Sequence, residues 1–181
     1  MAPHYTGAGD DGTTGLFYGG RVAKDSVLPT AYGDVDEAQA FIGLARTEFT
    51  PGGEVDDLLV HVARDLWVLM AELATAPENR HKLSPGQGAV TVEMVQALEA
   101  HIDKLESRFE VPREFVVPGQ TRAAGLLDVA RTVVRRAERH ALAAAGDGSH
   151  VVPYLNRLSS LLWSMARWVD GDATLRTKDV T

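Results

Sequence analysis

Between residues 34 and 169 the apolar residues recur at three- and four-residue intervals in five separate segments, and no run alternates as a half-buried strand would. The second segment shows the pattern most plainly. Val55, Leu58, Leu59, Val62, Leu66, Leu69, Met70 and Leu73 fall on one face of a helix that turns about 100° per residue. Stripes of this kind can leave water only by packing against one another, which makes the chain an all-α bundle. The spacing predicts helices at about 34–49, 54–75, 91–109, 120–145 and 152–169, in up-and-down order. Asp34, with Glu37 three residues on, reads as the cap of the first helix, and Asp36 lies in its first turn, where a carboxylate suits the helix dipole. Breakers separate the segments: Pro51-Gly52-Gly53, a polar loop at 76–90, Pro112 and Pro118 around an apolar connector, and glycines 146 and 148. Pro153 suits a first helical turn. The expected plan is one domain, with an N-terminal segment at 1–33, a bundle at 34–170 and a polar tail at 171–181 that is mobile unless something holds it.

Composition narrows the function classes. The net charge is −7 and the pI about 5.3, which argues against a broad nucleic-acid surface. No apolar run approaches the roughly 18 residues of a membrane span. The first residues carry no basic stretch followed by an apolar one, so the chain reads as cytoplasmic. There is no cysteine, hence no thiolate chemistry. The six histidines make no His-x-x-x-His pair, which argues against a protein metal cage.

Against this acidic background the fourth segment places four arginines, Arg131, Arg135, Arg136 and Arg139, within nine residues. Measured around a helix from Arg131, Arg135 stands at roughly 40°, Arg139 at roughly 80° and Glu138 at roughly −20°. Leu127, Ala130, Val134, Ala137 and Ala141 form the adjoining apolar arc. Two readings stand. One is a solvated face laced by pairs such as Asp128–Arg131 and Arg135–Glu138. The other is an arginine cradle for a phosphate chain, since guanidinium forks match phosphate oxygens.

Residues 5–25 are unlike the rest. They hold six glycines with Thr6, Asp10, Asp11, Thr13 and Thr14, and with Arg21 and Lys24 close by. Free backbone N–H groups in such turns form anion-binding nests. A flexible tail is the other reading, although Leu16, Phe17, Tyr18 and Val22 could pin the segment to a surface. No Gly-Lys-Ser/Thr closes it as a Walker loop, and no G-x-G-x-x-G follows a strand.

The stretches T-G-A-G-D-D-G-T-T at 6–14, R-V-A-K-D at 21–25, A-Y-G-D-V-D-E at 31–37, F-V-V-P-G at 115–119, A-R-T-V-V-R-R-A-E-R at 130–139, Y-L-N-R-L-S at 154–159 and R-T-K-D-V at 176–180 occur in one order over nearly the whole chain. In them the chain resembles the PduO-type ATP:cob(I)alamin adenosyltransferases. The resemblance implies a five-helix bundle that assembles as a homotrimer with sites between subunits. It implies transfer of the 5′-deoxyadenosyl group of ATP, with Mg²⁺, to the cobalt of a reduced corrinoid. Thr6, Gly7, Gly9, Asp10, Gly12, Thr13, Thr14, Arg21 and Lys24 would wrap ATP. Arg135 would hold the polyphosphate, with Glu138 and Asn156 further nucleotide positions. Asp36 and Arg131 would form an ion pair between subunits beside the site. Phe115, flanked by Val116 and Val117, would press on the corrin and displace its lower axial ligand. By residue type alone Phe115 reads as core. A flavin reductase and an adenosylcobalamin-dependent acceptor enzyme would be partners. The chain departs from the family where Gly7 and Ala8 replace a lysine and a polar residue, and where Gln120 replaces a glycine. Those losses motivate an alternative, a sensor or chaperone of the same fold that binds ATP or corrinoid with little turnover.

Overall fold

The computed structural model describes residues 5–180. Five long helices make the body: α1 (Val27–Arg46), α2 (Glu54–Leu73), α3 (Val92–Glu106), α4 (Arg122–Ala144) and α5 (Val151–Asp170). Successive helices run in opposite directions, but sequence neighbours are not always packing partners. α1 packs on α2 and α4, α4 on α5, and α5 on α3. The closest seam joins α1 and α4. Ala31, Val35, Ala38, Ile42 and Ala45 of α1 and Ala124, Leu127, Ala130, Val134, Ala137 and Ala141 of α4 are all buried in the common core. So many alanines let two helix backbones approach closely, and the larger leucines of α2 and α5 fill the remaining core.

Two of the five long helices start at a side-chain cap. The Thr121 hydroxyl accepts from Ala124 N at 3.1 Å and opens α4, and the Thr91 hydroxyl accepts from Met94 N at 3.4 Å and opens α3. Two expectations are corrected here. The first helix begins at Val27, not at 34. Pro29 falls in its first turn, where a missing N–H costs nothing, and Gly33 is tolerated inside. Asp34 is therefore no cap. It sits one turn further in and takes Arg136 Nε at 3.3 Å and His140. The glycines after α4 do not close it either. Arg80 Nη2, from the 3₁₀ turn Pro77–Lys82, donates to Ala144 O at 2.5 Å.

Two short antiparallel ladders complete the chain. β1 (Thr13–Gly15) pairs with β2 (Arg21–Ala23) through a turn whose Tyr18, Gly19 and Gly20 all have positive φ. This hairpin is pinned to the end of α2 by Phe17 N on Ala74 O at 2.9 Å, and the Tyr18 hydroxyl reaches Lys82 O at 3.2 Å. β3 (Val116–Val117) pairs with β4 (Leu175–Arg176), so the polar tail is held against the connector. Among the described residues no helix is long and apolar enough to cross a membrane.

Candidate functional site

The arginine face of α4 is divided by what its neighbours offer. Arg136 is consumed by α1, through Asp34 and Glu37. Arg139 donates to the Arg135 carbonyl at 3.1 Å. Arg131 donates its Nε to Asp128 Oδ1 at 3.1 Å, so the first of the two expected helix pairs forms. The second does not. Glu138 instead accepts Asn156 Nδ2 from α5 at 2.9 Å, and Asn156 Oδ1 accepts Arg157 Nη1 at 2.6 Å. Among the described residues the Arg135 guanidinium has no carboxylate partner, and it faces a cavity.

That cavity, about 320 Å³, is lined by Arg131, Arg135, Glu106, Ser159, Ser160, Trp163 and Ser164. A second cavity of about 460 Å³ adjoins it, with Arg131 and Trp163 in the walls of both. Phe115, Val116, Arg113, Asp128 and Arg167 also line the second cavity. Together they form a trench with Arg131 and Arg135 in one part and Phe115 in the other. Phe115 is 87% exposed and so is not core. Its ring stands out while its backbone is tied down: Thr177 donates to Phe115 O from both N at 2.9 Å and Oγ1 at 3.1 Å. Glu114, next to it, pairs with Lys178 and lies 3.9 Å from Arg176. The Lys178 hydrogen bond is the main cause that holds the Glu114 carboxyl below its usual range. Val117 sits in the ladder beside them, outside both cavity walls.

The glycine-rich segment forms its own cradle. Asp10 N donates to Gly7 O at 3.1 Å and Gly12 N to Gly9 O at 3.2 Å, with Lys24 N on Gly12 O at 2.9 Å. Gly7 has φ +68° and Gly12 φ +82°, a region that side chains rarely adopt. Lys24 folds back so that its ammonium would stand 3.1 Å from a Cβ at Gly9. Arg21 Nη2 reaches Ala8 O at 2.6 Å, and its Nε reaches Thr13 Oγ1 at 3.0 Å. The Thr13 hydroxyl and amide both donate to Asp11, in that order of effect, and lower its carboxyl pKa. Thr6 accepts from Ala8 N at 3.3 Å. Thr14 is half-buried in β1, and Asp10 is exposed.

Within one chain these parts do not all meet. None of residues 6–24 lines either cavity, and Asp36 is exposed on α1 while Arg131 turns to Asp128. The structure brings together Arg131, Arg135, Phe115 and Val116 in the trench, and Glu138 with Asn156 beside it. Sequence reading did not single out Trp163, Glu106 or Ser164 for the trench, because a helix-face pattern cannot tell a core tryptophan from a cavity wall. Among the described residues no three His, Asp or Glu side chains are placed to hold a metal ion together.

Residues 4–169 match the sequence model of the family described as Cobalamin adenosyltransferase. The chain is 41% identical to the corrinoid adenosyltransferase of Mycobacterium tuberculosis strain H37Rv, over 97% of this chain and 96% of that one. It is 38% identical to the corrinoid adenosyltransferase of Bacillus subtilis strain 168, over 92% and 86%. Among solved structures it is similar to a variant of the PduO-type ATP:corrinoid adenosyltransferase from Lactobacillus reuteri complexed with cobalamin and ATP, at TM-score 0.82 and 27% identity, over 93% of this chain and 91% of that chain.

Proposed function

The chain belongs to the cobalamin adenosyltransferase family, and from that premise we propose that it transfers the 5′-deoxyadenosyl group of ATP to the cobalt of a reduced corrinoid, giving adenosylcobalamin and triphosphate. The Co(I) lone pair attacks C5′. The cobalt–carbon bond forms as the C5′–oxygen bond breaks, and the electron pair leaves on triphosphate while cobalt becomes Co(III). No proton moves, so no general base is required. The protein has to align C5′ with cobalt and stabilise charge gathering on the leaving group. The observation that carries this reading is the trench, with Arg131 and Arg135 at one part and exposed Phe115 at another.

Arg135 takes the role of polyphosphate clamp, because it lines the cavity and, among the described residues, its guanidinium has no carboxylate partner. Glu138 and Asn156 hold the nucleotide nearby. Phe115, with Val116 and Val117, excludes water and the lower ligand from the corrin, which eases reduction of Co(II). Mg²⁺ would enter with ATP and neutralise part of the charge on its phosphates, beside Arg135. The glycine-rich segment 1–33, through Thr6, Gly7, Gly9, Asp10, Gly12, Thr13, Thr14, Arg21 and Lys24, wraps the nucleotide of a neighbouring subunit. That assignment fits a hairpin which stands apart from its own trench. A homotrimer with Asp36 of one subunit paired to Arg131 of the next completes the site. The residues 34–170 serve as the bundle and 171–181 as a tail bracing the connector. The protein works in the cytoplasm, with a flavin reductase supplying electrons and an adenosylcobalamin-dependent enzyme taking the product.

A second reading, a sensor or chaperone with little turnover, draws on Gly7. Its positive φ makes a turn where a lysine would be strained, so this loop has given up a cation. One experiment separates the two. The protein is mixed with Mg-ATP and chemically reduced cobalamin, and the visible spectrum is followed. Conversion to adenosylcobalamin over many turnovers supports the enzyme. Binding of ATP without conversion supports the sensor.

A further inference from the structure

A chain of alternating charges, two of whose members, Asp128 and Arg167, line the second cavity beside Arg131, backs the trench without touching the reacting atoms. Arg167 of α5 is only 2% exposed. Its Nη2 donates to Asp128 Oδ2 at 2.7 Å and to Asp170 Oδ2 at 3.2 Å. Asp128 is also buried, and its other oxygen, Oδ1, accepts Arg131 Nε at 3.1 Å. Asp170 in turn accepts the Thr121 amide and hydroxyl, both at 3.1 Å, at the cap of α4. The order is Thr121, Asp170, Arg167, Asp128, Arg131, running from the start of α4 to the wall of the second cavity, which the last three share.

Such a chain is not a cheap source of stability. Desolvating two arginines and two carboxylates largely cancels their attraction, and apolar residues of similar volume often do as well. What it does provide is a carboxylate that cannot swing. On an open helix face an Asp–Arg pair three residues apart contributes only a few tenths of a kcal/mol and leaves the arginine free to move. Here Asp128 is held from behind by a buried guanidinium. Because Asp128 engages only the Nε of Arg131, the two Nη groups of Arg131 remain for an anion or a partner carboxylate.

We propose that Asp128 and Arg167 are positioning residues, which aim the Arg131 fork at the junction of the two cavities. The inference rests on the transfer reaction proposed above. It is tested with Asp128→Asn, an isosteric change that leaves one acceptor oxygen facing two arginine donors. With the bundle intact by circular dichroism, turnover at saturating ATP falls about 10²-fold, the scale of an ångström-size misplacement. The loss is the same whether Co(I) is supplied directly or generated from Co(II), because the fault lies at the nucleotide part of the trench. Adding Arg167→Met together with Asp170→Asn removes the competing donor without leaving a buried carboxylate unpaired, lets the amide oxygen of residue 128 return to Arg131, and recovers about 10-fold of the turnover. A purely structural role predicts that these further changes make matters worse. Unchanged turnover in Asp128→Asn, or a triple variant poorer than the single one, overturns the proposal. Nitrogen-15 NMR of the unaltered protein decides the geometry even where a variant does not fold, with the Arg131 signal identified through Arg131→Lys. The Arg131 Nε–H is expected to exchange with solvent far more slowly than that of exposed Arg139, and equal exchange overturns the proposal. A wild-type protein that makes no adenosylcobalamin defeats the reaction instead, and the exchange measurement still stands.

Discussion

Arg135 and Arg136 are neighbours in sequence with opposite fates, because a step of about 100° carries one to the trench and the other to α1. Arg135 faces a cavity without a carboxylate, while Arg136 is spent on Asp34 and Glu37. We therefore expect Arg135→Lys to fold normally and to lose about 10²-fold or more in kcat, since lysine keeps the charge and loses the two-pronged grip on developing triphosphate charge. Arg136→Lys should keep most of its turnover, which parallel assays at saturating ATP would establish. Phe115 is a different case. An exposed ring contributes little to the core, so Phe115→Ala should leave the melting temperature and ATP affinity nearly unchanged. Its turnover should drop when the corrinoid starts as Co(II), and drop less when it starts as Co(I). Equal losses from the two starting states would remove Phe115 from ligand displacement. The arginine phase was legible from sequence because four charges beside an apolar arc fix a helix rotation. The exposure of Phe115 was not, because an apolar residue between two valines carries the same signal in a core as in a binding surface.

At the scale of elements, α2 to α5 begin and end within about three residues of where apolar period and breakers place them. α1 differs because Pro29 and Gly33 look like punctuation, yet a first-turn proline is harmless. The β3–β4 ladder was illegible for a physical reason: two residues at each end of a separation of nearly sixty carry no local pattern. Its effect is to brace the Phe115 connector by the tail. The α1–α4 seam gives the sharpest test of packing. Ala137 is fully buried where these two helices approach, so Ala137→Leu has no space to enter without moving a helix. We expect a loss of about 1–3 kcal/mol, typical of overpacking, read as an earlier urea midpoint. An unchanged midpoint would mean that the seam is looser than its alanines suggest.

For the whole molecule the central fact is division. The glycine-rich cradle and the arginine trench belong to one chain but do not meet in it, and Asp36 and Arg131 point to different surroundings. Motif order in the sequence pointed to both parts and the resemblance to sites between subunits, whereas the distance between the two parts within one chain is legible only in the fold. A trimer with shared sites predicts complementation. Asp36→Ala and Arg131→Ala should each be nearly inactive alone, and co-expression should restore a fraction of wild-type turnover, because some interfaces then carry both native residues. Co-expressed variants as inactive as either parent would place each site within a single subunit.

The reaction itself is tested most directly by following one carbon. ATP labelled with carbon-13 at C5′ is incubated with the protein, Mg²⁺ and chemically reduced cobalamin, and the products are read by NMR. A labelled carbon bonded to cobalt is expected, with triphosphate released in equal amount. Label that stays in ATP, or that leaves in ADP with inorganic phosphate, would contradict it.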